Sequence, residues 1–307
     1  MDPTGQDGTT ERPGAERRVL PGERPFRRAR RPEERVRVLG AAMDLVRAEE
    51  VLLHVWRAVE AGRPTVVANH NLHSLYLARR NPVFRAFYDR AELIEVDSTP
   101  ILLWAKLTQG RGRRFHRCTY LDWRGAFWAL AERAGWRVFY LGGAPGVAER
   151  AAGRLRPLHP RATIAVRDGY FDTAGPENAA VLAEIAAFRP HVLLVGMGMP
   201  RQELWLAANA AALPPCAMLP VGAAFDYEAG VQPTPLRWVG RWGFEWAWRL
   251  AADPRRLFTR YCVEPWSLIP AALADLRDAA LRSLGPRAQR PPPPDEAVRR
   301  RGEWRPR

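Results

Sequence analysis

The sequence predicts an open α/β fold, with a Rossmann-like, mostly parallel sheet and helices on both of its faces. Between about residues 36 and 222, apolar runs of strand length alternate with stretches of helical periodicity. Three of the apolar runs end in glycine, at Gly142, Gly196 and Gly222. Short apolar strands separated by longer helices are typical of a parallel sheet that is covered on both faces.

The predicted elements follow one another in the order that such a sheet requires. An apolar run at 36–39 comes first, and a helix follows over 46–59 because six apolar side chains share one helical face. Mainly apolar runs of four or five residues predict strands at 65–68, 92–96, 137–141, 163–167, 191–195 and 217–221. Helices are predicted between them at 72–80, 83–90, 123–135, 147–156, 176–188 and 201–211, with a further apolar stretch at 101–107.

Composition divides the chain into four regions. Residues 1–34 and 284–307 are rich in proline and charge, so we expect a disordered leader and a disordered tail. Between them we expect an α/β core over 35–233 and a helical appendage rich in tryptophan and arginine over 234–283. Because the leader lacks the apolar region of a secretory signal and no stretch has the length of a spanning helix, we expect a cytoplasmic location.

The positive charge is large and lies mainly near the C-terminal end. The 307 residues contain 47 Lys and Arg against 33 Asp and Glu, a formal net charge of +14. Residues 237–307 contain fifteen arginines and eight acidic residues, a net +7 that is half of the excess. A charge of this size is compatible with a nucleic acid, a membrane surface or an acidic substrate.

The glycines at the strand ends predict a nucleotide site. Ligands of parallel sheets bind beyond the carboxyl ends of the strands, where glycine lets backbone N–H groups approach phosphate oxygens. The candidates to bind a nucleotide diphosphate are Gly142, Gly143, Gly196, Gly198 and Gly222. Each glycine also has a structural explanation, since a tight strand-to-helix turn favours it. The spacing is not that of the dinucleotide fingerprint and a Walker A lysine is absent, which disfavours dehydrogenases and P-loop enzymes.

A series of motifs in a fixed order carries a family resemblance. The motifs are ARRNP at 78–82, LGGAPG at 141–146, DGYF at 168–171, VGMGMPRQELW at 195–205, VGAAFDY at 221–227 and GFEW at 243–246. Over about residues 36–262 the chain resembles the WecG/TagA/CpsF glycosyltransferases, also called glycosyltransferase family 26. These bacterial enzymes typically pass N-acetylmannosamine from its UDP donor to a polyprenyl-diphosphate-linked sugar, and the resemblance implies the same partners and inversion at the anomeric carbon.

The resemblance also implies site residues. The catalytic aspartate of the family falls on Asp97, its asparagine on Asn71 and the glutamine of its PRQ-like motif on Gln202. Further candidates to bind substrate are Asn69, Phe225 and Asp226. Four of them have an alternative: Asp97 as a helix N-cap, Gln202 as a solvated first-turn side chain, Phe225 as ordinary apolar core, and Asp226 as part of a structural loop.

We expect neither a metal nor a cofactor. An Asp-x-Asp motif, which in many glycosyltransferases holds a metal at the diphosphate, is absent from the sequence. The pair His70 and His73 lacks further ligands. Arginines and backbone N–H groups are therefore expected to neutralise the leaving UDP.

The segment after residue 236 alternates tryptophan with arginine. Tryptophan favours the bilayer interface and arginine pairs with phosphates, so we expect a peripheral contact with the inner face of the cell membrane. The arginines expected to meet the acceptor diphosphate or the membrane are Arg237, Arg241, Arg249, Arg255, Arg256 and Arg260. The alternatives are a basic solvated helix whose tryptophans seal the core, and a surface that binds RNA, although the motifs of known RNA-binding modules are absent.

Departures from the family pattern leave the sugars open. Ser98 replaces the usual glycine after the aspartate, Asn69 replaces a threonine, residues 117–122 read RCTYLD where TGSD is expected, and residues 234–236 read TPL. Another donor, such as UDP-glucuronic acid or UDP-glucose, is therefore an alternative, as is an inactive protein that binds lipid-linked sugars. A homo-oligomer is possible for any of these.

Overall fold

The computed structural model describes residues 35–232, 250 and 254–284. A hairpin comes first, formed by β1 (Arg35–Val38) and β2 (Ala41–Asp44). The remaining strands are β3 (Thr65–His70), β4 (Leu93–Val96), β5 (Arg137–Gly142), β6 (Thr163–Arg167), β7 (Val192–Gly196) and β8 (Ala217–Pro220). They form one sheet in the order β4-β3-β8-β7-β5-β6, and every neighbouring pair is parallel. This confirms the predicted α/β class.

The helices connect these strands. They are α1 (Ala48–Glu60), α2 (Leu72–Arg80), α3 (Pro82–Arg90), α4 (Thr99–Gln109), α5 (Tyr120–Ala134), α6 (Val147–Leu155), α7 (Pro176–Phe188), α8 (Arg201–Asn209) and α9 (Ala224–Glu228). A short 3-10 turn, Arg114–His116, precedes α5. Two groups of buried side chains, which contain alternate residues of the same strands, fill the space between sheet and helices on its two faces. Strands β4 and β7 are buried along their whole length.

Two local features differ from the predictions. The apolar run at 36–39 is one strand of an antiparallel hairpin, because Leu39 (φ 52°) and Gly40 (φ 80°) form a tight turn that leads into β2. A leucine in the left-handed region is uncommon, so the turn had no signal in the sequence. Helix α5 begins at Tyr120 rather than at 123, since the Asp122 carboxylate accepts from the Thr119 N–H (3.1 Å) and closes the first turn.

The C-terminal segment packs against the core. It consists of α10 (Pro254–Phe258), a π-helical turn (Thr259–Val263), a 3-10 turn (Glu264–Leu268) and α11 (Ile269–Leu284). Asp275 Oδ2 accepts hydrogen bonds from the Leu39 N–H (2.8 Å) and the Trp104 Nε1–H (3.0 Å), which join α11 to the hairpin and to α4. The limits of the four predicted regions stay predictions, because residues 1–34, most of 233–253 and 285–307 lie outside the described residues.

Among 35–232, 250 and 254–284, no helix combines the length and the apolar character needed to cross a bilayer.

Candidate active site

A cavity of about 360 Å³ opens at the carboxyl ends of β3, β4 and β8. The ends of these neighbouring strands supply its floor, the loop after β7 and the start of α5 supply two walls, and the C-terminal segment supplies a third. Its volume is within the range of small-molecule sites. The sheet edge and the strands involved are those at which a parallel α/β fold binds its ligands.

Asp97 lies in this cavity directly after β4. Its carboxylate is 34% exposed, and its Oδ1 is 3.3 Å from an Arg117 guanidinium nitrogen. Arg117 reaches it because its own segment runs beside the end of β4, where the Cys118 N–H donates to the Val96 carbonyl (3.0 Å). The N-cap of α4 is Ser98, so the capping alternative for Asp97 is wrong. The structure thus places a partly solvated carboxylate beside a cation in the cavity, and the role of Asp97 as the base stays a prediction.

Two asparagines at the end of β3 line the same cavity. Asn71 caps α2, because its Oδ1 accepts from the Ser74 N–H (3.0 Å) while the Ser74 hydroxyl accepts from the Asn71 N–H (2.9 Å). This leaves the Asn71 amide nitrogen on the side of Met199. Asn69 Nδ2 donates to the Pro220 carbonyl (3.1 Å) and ties β3 to β8. Both predicted residues are therefore held in place by the fold at the cavity.

Gln202 also lines the cavity, but it is buried rather than solvated. Its Oε1 accepts from the backbone N–H groups of Gly198 (3.2 Å) and Gly222 (3.1 Å), and its Nε2 donates to Glu203 (2.8 Å). The solvated alternative is therefore wrong. One amide oxygen thus connects the two glycine turns that follow β7 and β8, and it occupies two of the N–H groups that were expected to meet phosphate.

Of the other glycine candidates, Gly142 and Gly196 are explained by close packing, and Gly143 by its left-handed backbone (φ 74°). A Cβ on Gly142 would lie 2.4 Å from Gly196 backbone atoms, and one on Gly196 would lie 2.1 Å from the Tyr140 hydroxyl. The Gly143 N–H donates to the Gly196 carbonyl (3.2 Å). These three residues are not part of the cavity lining in the described residues, whereas Gly198 and Gly222 are. Their role in binding stays a prediction.

The two remaining substrate candidates lie beside the cavity. Phe225 is fully buried and stacks on Tyr140, with ring centroids 3.7 Å apart, so its alternative as apolar core is confirmed. Asp226 is half-buried, and burial raises the pKa of its carboxyl. Its neighbour Tyr227 lines the cavity.

Of the predicted arginines, Arg260 lies in the cavity wall, together with Leu257 and Tyr261 of the same segment. Arg255 is exposed on α10. Arg237, Arg241 and Arg249 lie outside the described residues, as does the side chain of Arg256. One guanidinium of the basic segment therefore reaches the site within the part of the chain that the structure describes.

Sequence reasoning missed two charged residues of the cavity. Arg117 belongs to the segment 117–122, which the sequence shows only as a departure from the family pattern. Its contact with Asp97 depends on a backbone pairing with Val96 that residue types do not reveal. Glu95 lies on β4 two residues before Asp97 and is 3% exposed. A carboxyl within the apolar run Leu-Ile-Glu-Val was the available signal for Glu95, because an acidic residue is rarely fully buried.

Fold and site together define an α/β protein with a polar, ligand-sized cavity at a sheet edge, holding a carboxylate that is paired with an arginine. A family model described as the glycosyl transferase WecG/TagA/CpsF family matches residues 36–281. The chain belongs to the WecG/TagA/CpsF family of glycosyltransferases. It is therefore a glycosyltransferase of cell-surface polysaccharide synthesis, a class that takes nucleotide-sugar donors and lipid-linked acceptors in general.

Proposed function

We propose that this protein is an inverting, metal-independent transferase that moves a sugar from a UDP-sugar to a polyprenyl-diphosphate-linked sugar. The first candidate for the sugar is N-acetylmannosamine, as in the typical members of the family. The observation that carries the proposal is the position of Asp97, in the wall of the cavity and 3.3 Å from Arg117.

The reaction needs one base. A hydroxyl oxygen of the acceptor forms a bond to the anomeric carbon while the bond from that carbon to the diphosphate oxygen breaks, and the electron pair leaves with UDP. The hydroxyl proton passes to the carboxylate of Asp97. Attack opposite to the leaving group inverts the anomeric configuration. A carboxylate within hydrogen-bond reach of the hydroxyl accelerates such a step by roughly 10²- to 10⁴-fold.

Two guanidinium groups support this chemistry. Arg117 holds one oxygen of Asp97 and fixes the direction of the carboxylate. Arg260, in the wall that the C-terminal segment supplies, gives a permanent positive charge to a site that must receive a diphosphate. Planar guanidinium groups bind phosphate oxygens in pairs, so we assign Arg260 to the diphosphate.

The residues of the cavity leave more than one UDP-sugar as the donor. Two residues that depart from the family pattern lie at the cavity: Asn69 lines it, and Ser98 follows the lining residue Asp97. UDP-glucuronic acid and UDP-glucose are therefore tested beside the N-acetylmannosamine donor. A donor present at about a hundred times its dissociation constant stabilises the protein by about 2.7 kcal/mol, so a thermal screen of UDP-sugars identifies it.

We further propose that the protein works at the inner face of the cell membrane. Exposed large apolar side chains concentrate in the C-terminal segment, where eight of the sixteen in the described residues occur. The same segment supplies Arg260 to the cavity, so a membrane contact there would bring the lipid-linked acceptor close to Asp97.

Replacing Asp97 tests the proposed mechanism. Asp97→Asn keeps the shape of the side chain and removes the base, so transfer of radiolabelled sugar to a polyprenyl-diphosphate-sugar analogue should fall by roughly 10²- to 10⁴-fold. The matched control is Asp89→Asn, an exposed aspartate on α3, which should keep the wild-type rate. If Asp97→Asn folds normally and keeps more than about a tenth of the wild-type rate, Asp97 is not the base.

A further inference from the structure

The cavity contains a second carboxyl group that the reaction described above does not use. Glu95 and Asp97 are two residues apart at the end of β4, and Glu95 lines the same cavity. Its residue is 3% exposed, and its Oε1 is buried without a hydrogen-bond partner. A buried polar atom that is left without a partner costs free energy, so its presence in a binding site requires an explanation.

The groups around Glu95 keep its carboxyl protonated. Burial raises the pKa of Glu95 to about 8, and the nearby carboxylates of Asp97 and Asp122 raise it as well. Side-chain hydrogen bonds from Trp123 and Cys118 lower the pKa of Glu95, but they do not offset the effect of burial. At neutral pH the side chain is therefore a neutral acid, which carries one O–H donor.

The neighbouring side chain does not take that proton. The indole Nε1–H of Trp123, which also lines the cavity, is directed at the Glu95 carboxyl as a donor, although the contact falls outside normal hydrogen-bond geometry. An indole nitrogen only donates, so it cannot accept from the carboxylic acid. Glu95 is thus approached by the donor of Trp123, and its own proton is the donor that still needs an acceptor, in the wall of a cavity that also holds Asp97. An oxygen of a ligand in the cavity is a suitable acceptor for that proton.

We propose that Glu95, as a neutral acid, donates a hydrogen bond to an oxygen of the sugar that lies next to Asp97. This inference rests on the proposed sugar transfer. The oxygen belongs either to the sugar that is transferred or to the sugar that accepts it, because both must meet at Asp97. Glu95 is accordingly a binding and specificity residue, while Asp97 is the base.

Two variants separate the donor role from the shape of the side chain. Glu95→Gln keeps an N–H donor that does not titrate, and Glu95→Leu fills the same space without a donor. At about pH 6.5, Glu95→Gln should stay within about threefold of the wild-type kcat/KM, and Glu95→Leu should lose about tenfold, the usual effect of one hydrogen bond. Between about pH 6.5 and pH 9, the kcat/KM of the wild type divided by that of Glu95→Gln should fall about tenfold. Ionisation of Glu95 removes the donor from the wild type alone.

The KM values distinguish the two sugars. A rise confined to the KM of the UDP-sugar places the contact on the transferred sugar, and a rise confined to the KM of the lipid-linked analogue places it on the accepting sugar. The inference is overturned if Glu95→Leu, folded as judged by its thermal unfolding, matches the wild type, or if Glu95→Gln loses activity with pH in parallel with the wild type.

A direct titration keeps the two proposals distinguishable. The side-chain carboxyl carbon of Glu95, labelled with ¹³C and assigned through Glu95→Gln, should titrate near pH 8 in the wild-type protein. A Glu95 carboxyl that is ionised below about pH 7 overturns the inference even if the wild type transfers no sugar. Failure of transfer by the wild type with every UDP-sugar, in contrast, overturns the proposed function itself.

Discussion

Gln202 shows how one side chain determines the geometry of a site. Its amide oxygen accepts from two backbone N–H groups that belong to different loops, one after β7 and one after β8. Its amide nitrogen donates to Glu203, whose pKa is raised to about 7 by burial. Three hydrogen bonds from one buried amide fix the distance between the two loops, so the residue acts by holding the cavity in shape.

Replacing this glutamine should therefore destabilise the fold. Gln202→Leu leaves the Gly198 and Gly222 N–H groups and a buried carboxyl without their partner, and we expect a loss of about 3 kcal/mol in the free energy of unfolding. Urea denaturation measures it. Gln109→Leu is the matched control, because that glutamine makes one hydrogen bond, to the Arg37 carbonyl, in an exposed setting. A loss for Gln202→Leu no larger than for the control would contradict the role given to Gln202.

At the scale of elements, the C-terminal segment contributes one wall of the cavity through Leu257, Arg260 and Tyr261. Several polar contacts of the described residues attach it, among them the bond from Arg282 to the Thr108 carbonyl (3.2 Å). Asp275 accepts from Leu39 and Trp104, and His73 Nδ1 pairs with Glu264. The desolvation of His73 lowers the pKa of its imidazole, and Arg260 lowers it further, while Glu264 raises it. The wall is thus held by contacts between elements that are distant in the sequence.

Removing the Asp275 carboxylate should loosen this segment. Asp275→Ala leaves the Leu39 N–H and the Trp104 indole N–H without an acceptor, so amide hydrogen exchange over Ile269–Leu284 should accelerate by about tenfold or more while the sheet keeps its protection. Asp278→Ala is the control on the same helix, since that carboxylate is exposed and its nearest cation is the adjacent Arg277. Equal exchange in the two variants would show that Asp275 does not hold the segment.

The elements differ in how far the sequence reveals them. Strands such as β7 were predictable because a strand buried on both faces must be apolar throughout. Asp97, Asn71 and Gln202 were named from motifs, and all three meet at the cavity. The pairing of Arg117 with Asp97 was not predictable, because it depends on a backbone contact between Val96 and Arg117 that adds a short parallel bridge outside β4. The role of Gln202 as a connector was missed for the same reason, since its partners are backbone atoms.

For the whole molecule, charge and exposed apolar surface meet in the C-terminal part. Ile269, Leu273 and Leu276 are all exposed and lie at helical positions i, i+4 and i+7, so they share one face of α11. Trp266, 70% exposed, lies one turn before them. This face belongs to a part of the sequence that carries a net +7 over 237–307, and apolar side chains in a basic segment are what an interfacial membrane contact requires.

This surface predicts binding to anionic vesicles. The wild-type protein should sediment with vesicles that contain phosphatidylglycerol, and less so as salt is raised. The pair Trp266→Ser and Leu273→Ser should lower the partition coefficient by about tenfold or more, because two apolar side chains lose their burial in the interface. Leu158→Ser, at an equally exposed leucine on the core, is the control. Unchanged partitioning of the double variant, or tight binding to RNA in place of vesicles, would contradict the membrane proposal.

The position of the cavity wall in the chain has a consequence for biosynthesis. The carboxylate of Asp97, its arginine and all eight described strands are encoded before residue 221, whereas Leu257, Arg260 and Tyr261 leave the ribosome later. Domains generally fold as units during synthesis, and the matched region 36–281 includes the residues of this wall. The complete cavity wall therefore exists only once translation has passed Tyr261.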